Sequence, residues 1–341
     1  MIYKNIEIHN AADLIDIDDG VLWKRLPQNV CNSLEIDLKQ RICTDATGVE
    51  LRFVLKGDEV KLRMASFDLP EDGVGCTFHV YYGGIQGGWS DHEVHRIIGR
   101  EPKVFVFKKP ENIDKLKRIT EEFGYDWDPE VIRVIFDRGH IKLLDVNGDV
   151  KPPNPDQMPK RTMLNYGSSI THGSNSIDMS HSWTYMVAHN LNVDCINLGM
   201  AGSCAMEPCV IDYIAEQGEL GNWDFATLEL GINVLEWEES KIYERVTYAI
   251  EQIALRNPDK PVVVISPFYC NDDFDNGTNA EKWRRIIEEV VNTLSLKNVY
   301  YKSGLYFIDN ISYISADEVH PNIYGVQRIA DKLTDYMKNI K

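Results

Sequence analysis

Ser169, Asp317 and His320 are residue types that together can perform acyl transfer, and each lies shortly after a strand-like apolar run. A serine hydroxyl is a weak nucleophile until a base removes its proton. An imidazole, which ordinarily titrates at about pH 6.5, can act as that base near neutrality. In Asp317-Glu318-Val319-His320-Pro321 a carboxylate three residues before the histidine can fix its tautomer and stabilise the imidazolium. The negative oxygen of a tetrahedral intermediate needs donors. The backbone N–H groups of Ser169 and Gly202 and the side-chain amide of Asn233 are the candidates, each worth about 3–4 kcal/mol to the transition state. Trp237, shortly after Asn233, is a candidate lining for an acyl or sugar pocket, against the plainer reading of a core tryptophan. Every one of these pieces is common. D-x-x-H recurs at Asp137/His140 and Asp178/His181, and G-x-N at Asn175 and Asn279. Position in the chain separates the favoured copies from the others.

That position is set by a β, α, β, α alternation after residue 160. Apolar runs at Thr162 to Tyr166, Val193 to Leu198, Phe225 to Leu230, Val262 to Pro267 and Val299 to Tyr301 are separated by helical stretches of ten or more residues. The last helix, Asn322 to Asn339, lines up Ile323, Val326, Ala330, Leu333 and Met337. Such alternation predicts a parallel sheet covered on both faces, a flavodoxin-like three-layer α/β/α domain with strand order 2-1-3-4-5. Ligands bind such sheets at the carboxyl ends of the strands. There the first strand is followed by Gly167-Ser168-Ser169, the second by Gly199-Met200-Ala201-Gly202, the third by Gly231-Ile232-Asn233, and the fifth, after a loop, by Asp317 to His320. His172 is read as a structural or rim residue. Tyr269 and Cys270, ending the fourth strand, are read as possible pocket neighbours.

Before residue 155 the pattern is different. Short β-type runs at Gly48 to Leu55, Glu59 to Ala65, Cys76 to Tyr82, Lys103 to Phe107, Val131 to Phe136 and His140 to Val146 alternate with turn signals, as in a jelly-roll-like β-sandwich. One helix is expected at Pro110 to Gly124, with Ile113, Leu116, Ile119 and Phe123 near one face. The run PPNPDQMP at 152–159 reads as a stiff linker or strap. The expected division is an all-β accessory domain over 1–155 and an α/β domain over 160–341.

With 341 residues, 43% apolar and 26% charged, the chain has the composition of a soluble globular protein. A formal net charge of −17 repels phosphate backbones, so nucleic acid is an unexpected partner. No secretory signal and no membrane span is visible, and seven cysteines without a C-x-x-C pair fit reduced thiols; the expected location is cytoplasmic. No cofactor is expected. No H-E-x-x-H or paired-cysteine pattern marks a metal site, and His92 and His95 read as part of an exposed loop after a glycine cluster that turns a hairpin. Trp89 in the same stretch is a possible ligand contact, the hairpin turn being the simpler account.

GSSITHG, NLGMAG, LGIN and DEVHPN together resemble the four sequence blocks of the SGNH (GDSL) hydrolases, over about residues 160 to 340. The resemblance implies Ser169 as nucleophile, His320 as base, Asp317 as its orienting acid, and Gly202 and Asn233 as oxyanion donors. A β-sandwich ahead of such a domain is similar to two-domain carbohydrate acetyl-esterases and some acyltransferases of that family. The implied substrate is an acyl ester, acetate above all, on a small or oligomeric carbohydrate or related alcohol. Transfer to another acceptor, or a decayed non-catalytic carbohydrate-binding protein, are the other readings. Two positions depart from the family: Ser168 stands where G-D-S has its aspartate, and Val234 where G-x-N-D has its second acid. Both lost acids help to brace loops, which puts local geometry at issue rather than the reacting groups.

Overall fold

A computed structural model of the chain describes all residues except 36–38, 68–75, 89–97, 276 and 341, with residues 39 and 40 described by their backbone only. The chain forms two compact units, one of Met1–Asn32 with Leu38–Lys160 and the other of Ser33–Asp37 with Arg161–Lys341.

Alternating side chains build the first unit. In Glu59–Ser66, Val60, Leu62 and Met64 are fully buried while Lys61 and Arg63 face solvent, the two-residue period of a sheet with one covered face. Two antiparallel sheets result. One has the order Ile2–Tyr3, Ile6–His9, Glu50–Leu55, Val131–Phe136, Phe78–Tyr82, Ile85–Gln86, with Val150–Lys151 also paired to Glu50–Leu55. The other runs Asp13–Ile17, Gly20–Lys24, Ile141–Asn147, Glu59–Ser66, Lys103–Lys108. Ile8, Leu51, Phe53 and Val134 of the first sheet share one core with Trp23, Leu62, Leu143 and Phe105 of the second, so the unit is a sandwich. The four strands before Lys24 lie outside the runs expected from sequence, because each is at most five residues long and Asp13–Ile17 has no fully buried position. The helix spans Ile113–Phe123 and ends at Gly124, φ 69°. Phe123, expected on its inner face, is 71% exposed, and Thr120 is the residue it buries. Gly83 and Gly84 turn a hairpin in which Tyr82 pairs with Ile85. The proline-rich run forms a short 3₁₀ turn, Pro155–Gln157, held by a reciprocal Asn154–Gln157 cap and by Gln157 Nε2 donating to Asp128, 3.0 Å.

One expectation about the thiols is overturned. Cys31 and Cys43 are joined in a disulfide with Cα atoms 6.2 Å apart. Their separation of 12 residues matches no recurring motif, and folding alone brings them together. The remaining five cysteines form no disulfide among the described residues.

In the second unit, nearly continuous apolar runs give strands buried on both faces. All four residues of Val262–Ile265 are fully buried, as are Ala226, Thr227, Leu228 and Glu229. The five parallel strands, Thr162–Gly167, Asp194–Gly199, Phe225–Glu229, Val262–Ile265 and Val299–Lys302, adopt the order 2-1-3-4-5. Helices Trp183–Leu191 and Ile323–Lys338 pack together, and Glu239–Arg256 packs against both Pro208–Glu219 and Asn279–Leu294, completing a three-layer α/β/α arrangement. Gly167 and Gly199 are register partners, so the loops after the first two strands leave the same edge of the sheet at the same level. A side chain at Gly199 is excluded, since its Cβ would lie 2.2 Å from the His172 amide nitrogen. Among the described residues no helix is long and apolar enough to cross a membrane.

Candidate active site

The turn after the first strand is a single helical turn, Ser169–His172, capped by Ser168, whose hydroxyl accepts the Ile170 N–H at 3.1 Å. Capping leaves Ser169 at the first helical position, where a backbone N–H has no partner within the helix. The two serines differ in surroundings. Ser168 is 1% exposed and donates its hydroxyl to Glu229, whereas Ser169 is 8% exposed and its Oγ lies 2.7 Å from His320 Nε2. His320 arrives from the loop before the last helix, and its Nδ1 lies 2.8 Å from Asp317 Oδ2. With Nδ1–H donated to the carboxylate, Nε2 is left as an acceptor facing the Ser169 hydroxyl.

Asp317 is itself held by its own loop. Its Oδ1 accepts from the Ser315 hydroxyl (2.7 Å) and from the N–H groups of Val319 (3.0 Å) and His320 (2.9 Å). Burial opposes its ionisation, but the His320 N–H, the Ser315 hydroxyl, the Val319 N–H and the His320 ring outweigh it and hold the carboxyl well below the usual carboxylate range. Asn175, with φ 64°, donates from Nδ2 to both Ser315 Oγ (2.9 Å) and Asp317 Oδ2 (3.3 Å). It thereby joins the segment behind the nucleophile to the loop that carries the acid and base.

The loops of strands two and three are tied to one another. The Cys204 N–H donates to Asn233 Oδ1 at 3.1 Å, which engages the amide oxygen and orients the side chain whose NH₂ is a donor. Gly202 is exposed with φ 68°, in a loop fixed by the Met200 N–H on Gly167 O (2.8 Å) and the Ala201 N–H on His172 Nδ1 (3.2 Å). His172 is thus a buried brace. Trp237 is half-buried with Lys241 Nζ 3.8 Å from its ring centroid, and no hydrogen bond between it and the three central residues is seen. Cys270 is buried, and burial pushes its thiol up to about 11. Trp89, His92 and His95 lie outside the described residues.

Sequence reasoning missed Asn175, Ser315 and above all Glu229. Glu229 is a fully buried carboxyl whose Oε2 accepts the Ser168 N–H (2.7 Å), the Ser168 hydroxyl (2.6 Å) and the Thr171 hydroxyl (3.1 Å). Burial pushes it up to about 7, against those hydrogen bonds. The available signal was a single acid inside the otherwise uncharged run Phe225 to Leu230.

Comparison with known proteins supplies a family. The GDSL-like lipase/acylhydrolase family model matches residues 160–338, just over half of the chain. No curated protein matches the chain. Among solved structures, the salicylyl-acyltransferase SsfX3 of a tetracycline biosynthetic pathway is similar over 98% of this chain and 94% of its own, with TM-score 0.77 and 15% identity. A family two carbohydrate esterase from Cellvibrio japonicus is similar over 99% and 96%, with TM-score 0.63 and 13% identity. The family two carbohydrate esterase from Clostridium thermocellum in complex with cellohexaose covers 86% and 94%, with TM-score 0.60 and 16% identity. At these identities the likeness concerns the fold. The match across the second unit, on a sheet whose strand ends bring a serine, a histidine and an aspartate into hydrogen-bonding distance, establishes that the chain belongs to the GDSL-like lipase/acylhydrolase family and is an SGNH-type hydrolase.

Proposed function

We propose that the protein is a serine esterase that removes short acyl groups, acetate above all, from a carbohydrate or related small alcohol through an acyl-enzyme on Ser169. The observation that carries this reading is the continuous chain from Ser169 Oγ to His320 Nε2 (2.7 Å) and from His320 Nδ1 to Asp317 (2.8 Å). His320 takes the hydroxyl proton as Ser169 Oγ attacks the ester carbonyl carbon. The resulting oxyanion is met by the N–H groups of Ser169 and Gly202 and the Asn233 amide. Collapse expels the alcohol, protonated by the imidazolium, and leaves the acyl group on Ser169. Water, deprotonated by the same imidazole, then releases the acid. Trp237 is assigned to the substrate side of the pocket, where a half-buried aromatic face suits a sugar ring.

Turnover of p-nitrophenyl acetate by the wild type and by Ser169→Ala tests the assignment. Ser169→Ala should lower kcat by about 10⁴-fold or more and abolish labelling by a fluorophosphonate probe. Equal rates would discard it. The likeness to an acyltransferase over nearly the whole chain favours a second reading, transfer to a bound alcohol instead of water, since one acyl-enzyme serves both. Product analysis with sugars or alcohols added at high concentration separates the two: absence of any transfer product removes the second.

A further inference from the structure

We infer that Glu229, at the end of the third strand, is a positioning residue for the nucleophile, and that its carboxyl supplies from the neighbouring strand the acid that Ser168 does not provide in the nucleophile turn. This rests on the reading of Ser169 as nucleophile and adds a residue to that machinery. Both polar groups by which Ser168 can be held on its amino side, its N–H and its hydroxyl, converge on one oxygen, Glu229 Oε2, at 2.7 and 2.6 Å. The Ser168 hydroxyl, its proton committed to Glu229, turns a lone pair to the Ile170 N–H. Thr171 closes the other end of the turn on the same oxygen. The Ser168 carbonyl is taken by the His172 N–H at 2.9 Å. The peptide that links Ser168 to Ser169, and with it the Ser169 N–H, is therefore fixed from both sides.

Two observations mark this as a built arrangement. Glu229 is fully buried, yet its second oxygen, Oε1, has no hydrogen-bond partner among the described residues, a cost that packing alone does not call for. The strand beside it is also cut to fit. At Gly167 a Cβ would stand 2.7 Å from Glu229 Oε2 and 2.2 Å from Thr171 Oγ1, so any side chain there would displace the acceptor. A carboxyl on residue 168 and one on residue 229 would compete for the same space and the same donors. The chain holds one acid there, and it is on the strand.

The test is a double-mutant cycle on the full chain, with kcat and KM measured on p-nitrophenyl acetate and folding checked by circular dichroism. Glu229→Ala should lower kcat about tenfold with KM within about twofold, as a misaligned donor would, and less than the 10²–10³ lost with a direct oxyanion donor. Ser168→Asp alone should also lose activity, since it sets two carboxyls against each other. Ser168→Asp combined with Glu229→Ala should recover to within about threefold of wild type, because the new carboxylate can take the Thr171 hydroxyl and cap the Ile170 N–H in place of the Ser168 hydroxyl. A merely structural role predicts lost stability with an unchanged kcat in the folded fraction. Losses that add, or a folded Glu229→Ala at wild-type kcat, would overturn the inference. If Glu229→Ala does not fold alone, a double variant that folds and turns over substrate supports it, and one that fails to fold overturns it. Fluorophosphonate labelling of the wild type, blocked in Ser169→Ala, keeps this outcome distinct from failure of the esterase reading.

Discussion

Replacing Glu229 by glutamine removes a titrating group from the interior of the second unit, and the effect on stability has a definite dependence on pH. Burial raises the carboxyl from 4.5 to about 7 in the folded protein. Below about pH 4.5 both folded and unfolded chains hold the proton, and the group contributes no slope. Between about 4.5 and 7 the unfolded chain has released its proton while the folded one retains it, so the unfolded state gains and stability falls with rising pH. At about 1.4 kcal/mol per unit of pKa difference, the loss amounts to about 3 kcal/mol and is complete above pH 7. Glutamine does not titrate. Measured as the difference between variant and wild type, which cancels every other ionisation, the variant should gain about 3 kcal/mol on the wild type between pH 4.5 and 7.5. Urea denaturation at intervals across that range, followed by the fluorescence of buried Trp183, Trp223 and Trp283, reads it. A difference constant to within about 0.5 kcal/mol over the range would refute the claim that this carboxyl keeps its proton in the fold.

Three further outcomes follow from the candidate site. Asn233→Ala should lower kcat by 10² to 10³ (about 3–4 kcal/mol) with little change in KM, because the amide meets charge that exists only in the transition state; an unchanged kcat would remove Asn233 from the oxyanion site. Asn175→Ala should cost about fivefold in kcat/KM, or about 1 kcal/mol, by freeing the Asp317 loop from the segment behind Ser169, and steady-state kinetics on p-nitrophenyl acetate would show it. The rate should fall as pH is lowered from 8 to 5, because a protonated imidazole cannot accept the Ser169 proton, while Asp317 stays ionised throughout. A flat profile would contradict the role of His320 as base.

The second unit was readable because its strands are uninterrupted apolar runs, and such runs mark a sheet covered on both faces. Placement singled out the candidate site in the same way. Ser169, Gly202, Asn233 and Asp317 to His320 all follow strands, and the sheet order makes the loops after the first three neighbours. Composition alone would have failed: Asp178 and His181 form their own carboxylate–imidazole pair at 2.9 Å, while the imidazole on Ser169 Oγ is that of His320. What stayed hidden was contact between residues far apart in the chain. Glu229 reads as an anomaly in an apolar strand until Ser168, 61 residues earlier, is seen against it. Cys31 and Cys43 carry no mark of pairing in a chain with an odd number of cysteines. The strands before Lys24 are too short for a periodic signal, and the exposed Phe123 shows that a helical stripe on paper need not meet a core.

The separation of 151 positions between Ser169 and His320 has a bearing on synthesis as well as on catalysis. During translation the serine leaves the ribosome long before its proton acceptor has been made. On the proposed mechanism, a nascent chain stopped anywhere between them has the hydroxyl but not the His320 imidazole, and so is inert toward esters in its surroundings. On the same reading, reactivity switches on only as the segment carrying His320 docks, which makes covalent capture at Ser169 a reporter of how many molecules have assembled the second unit.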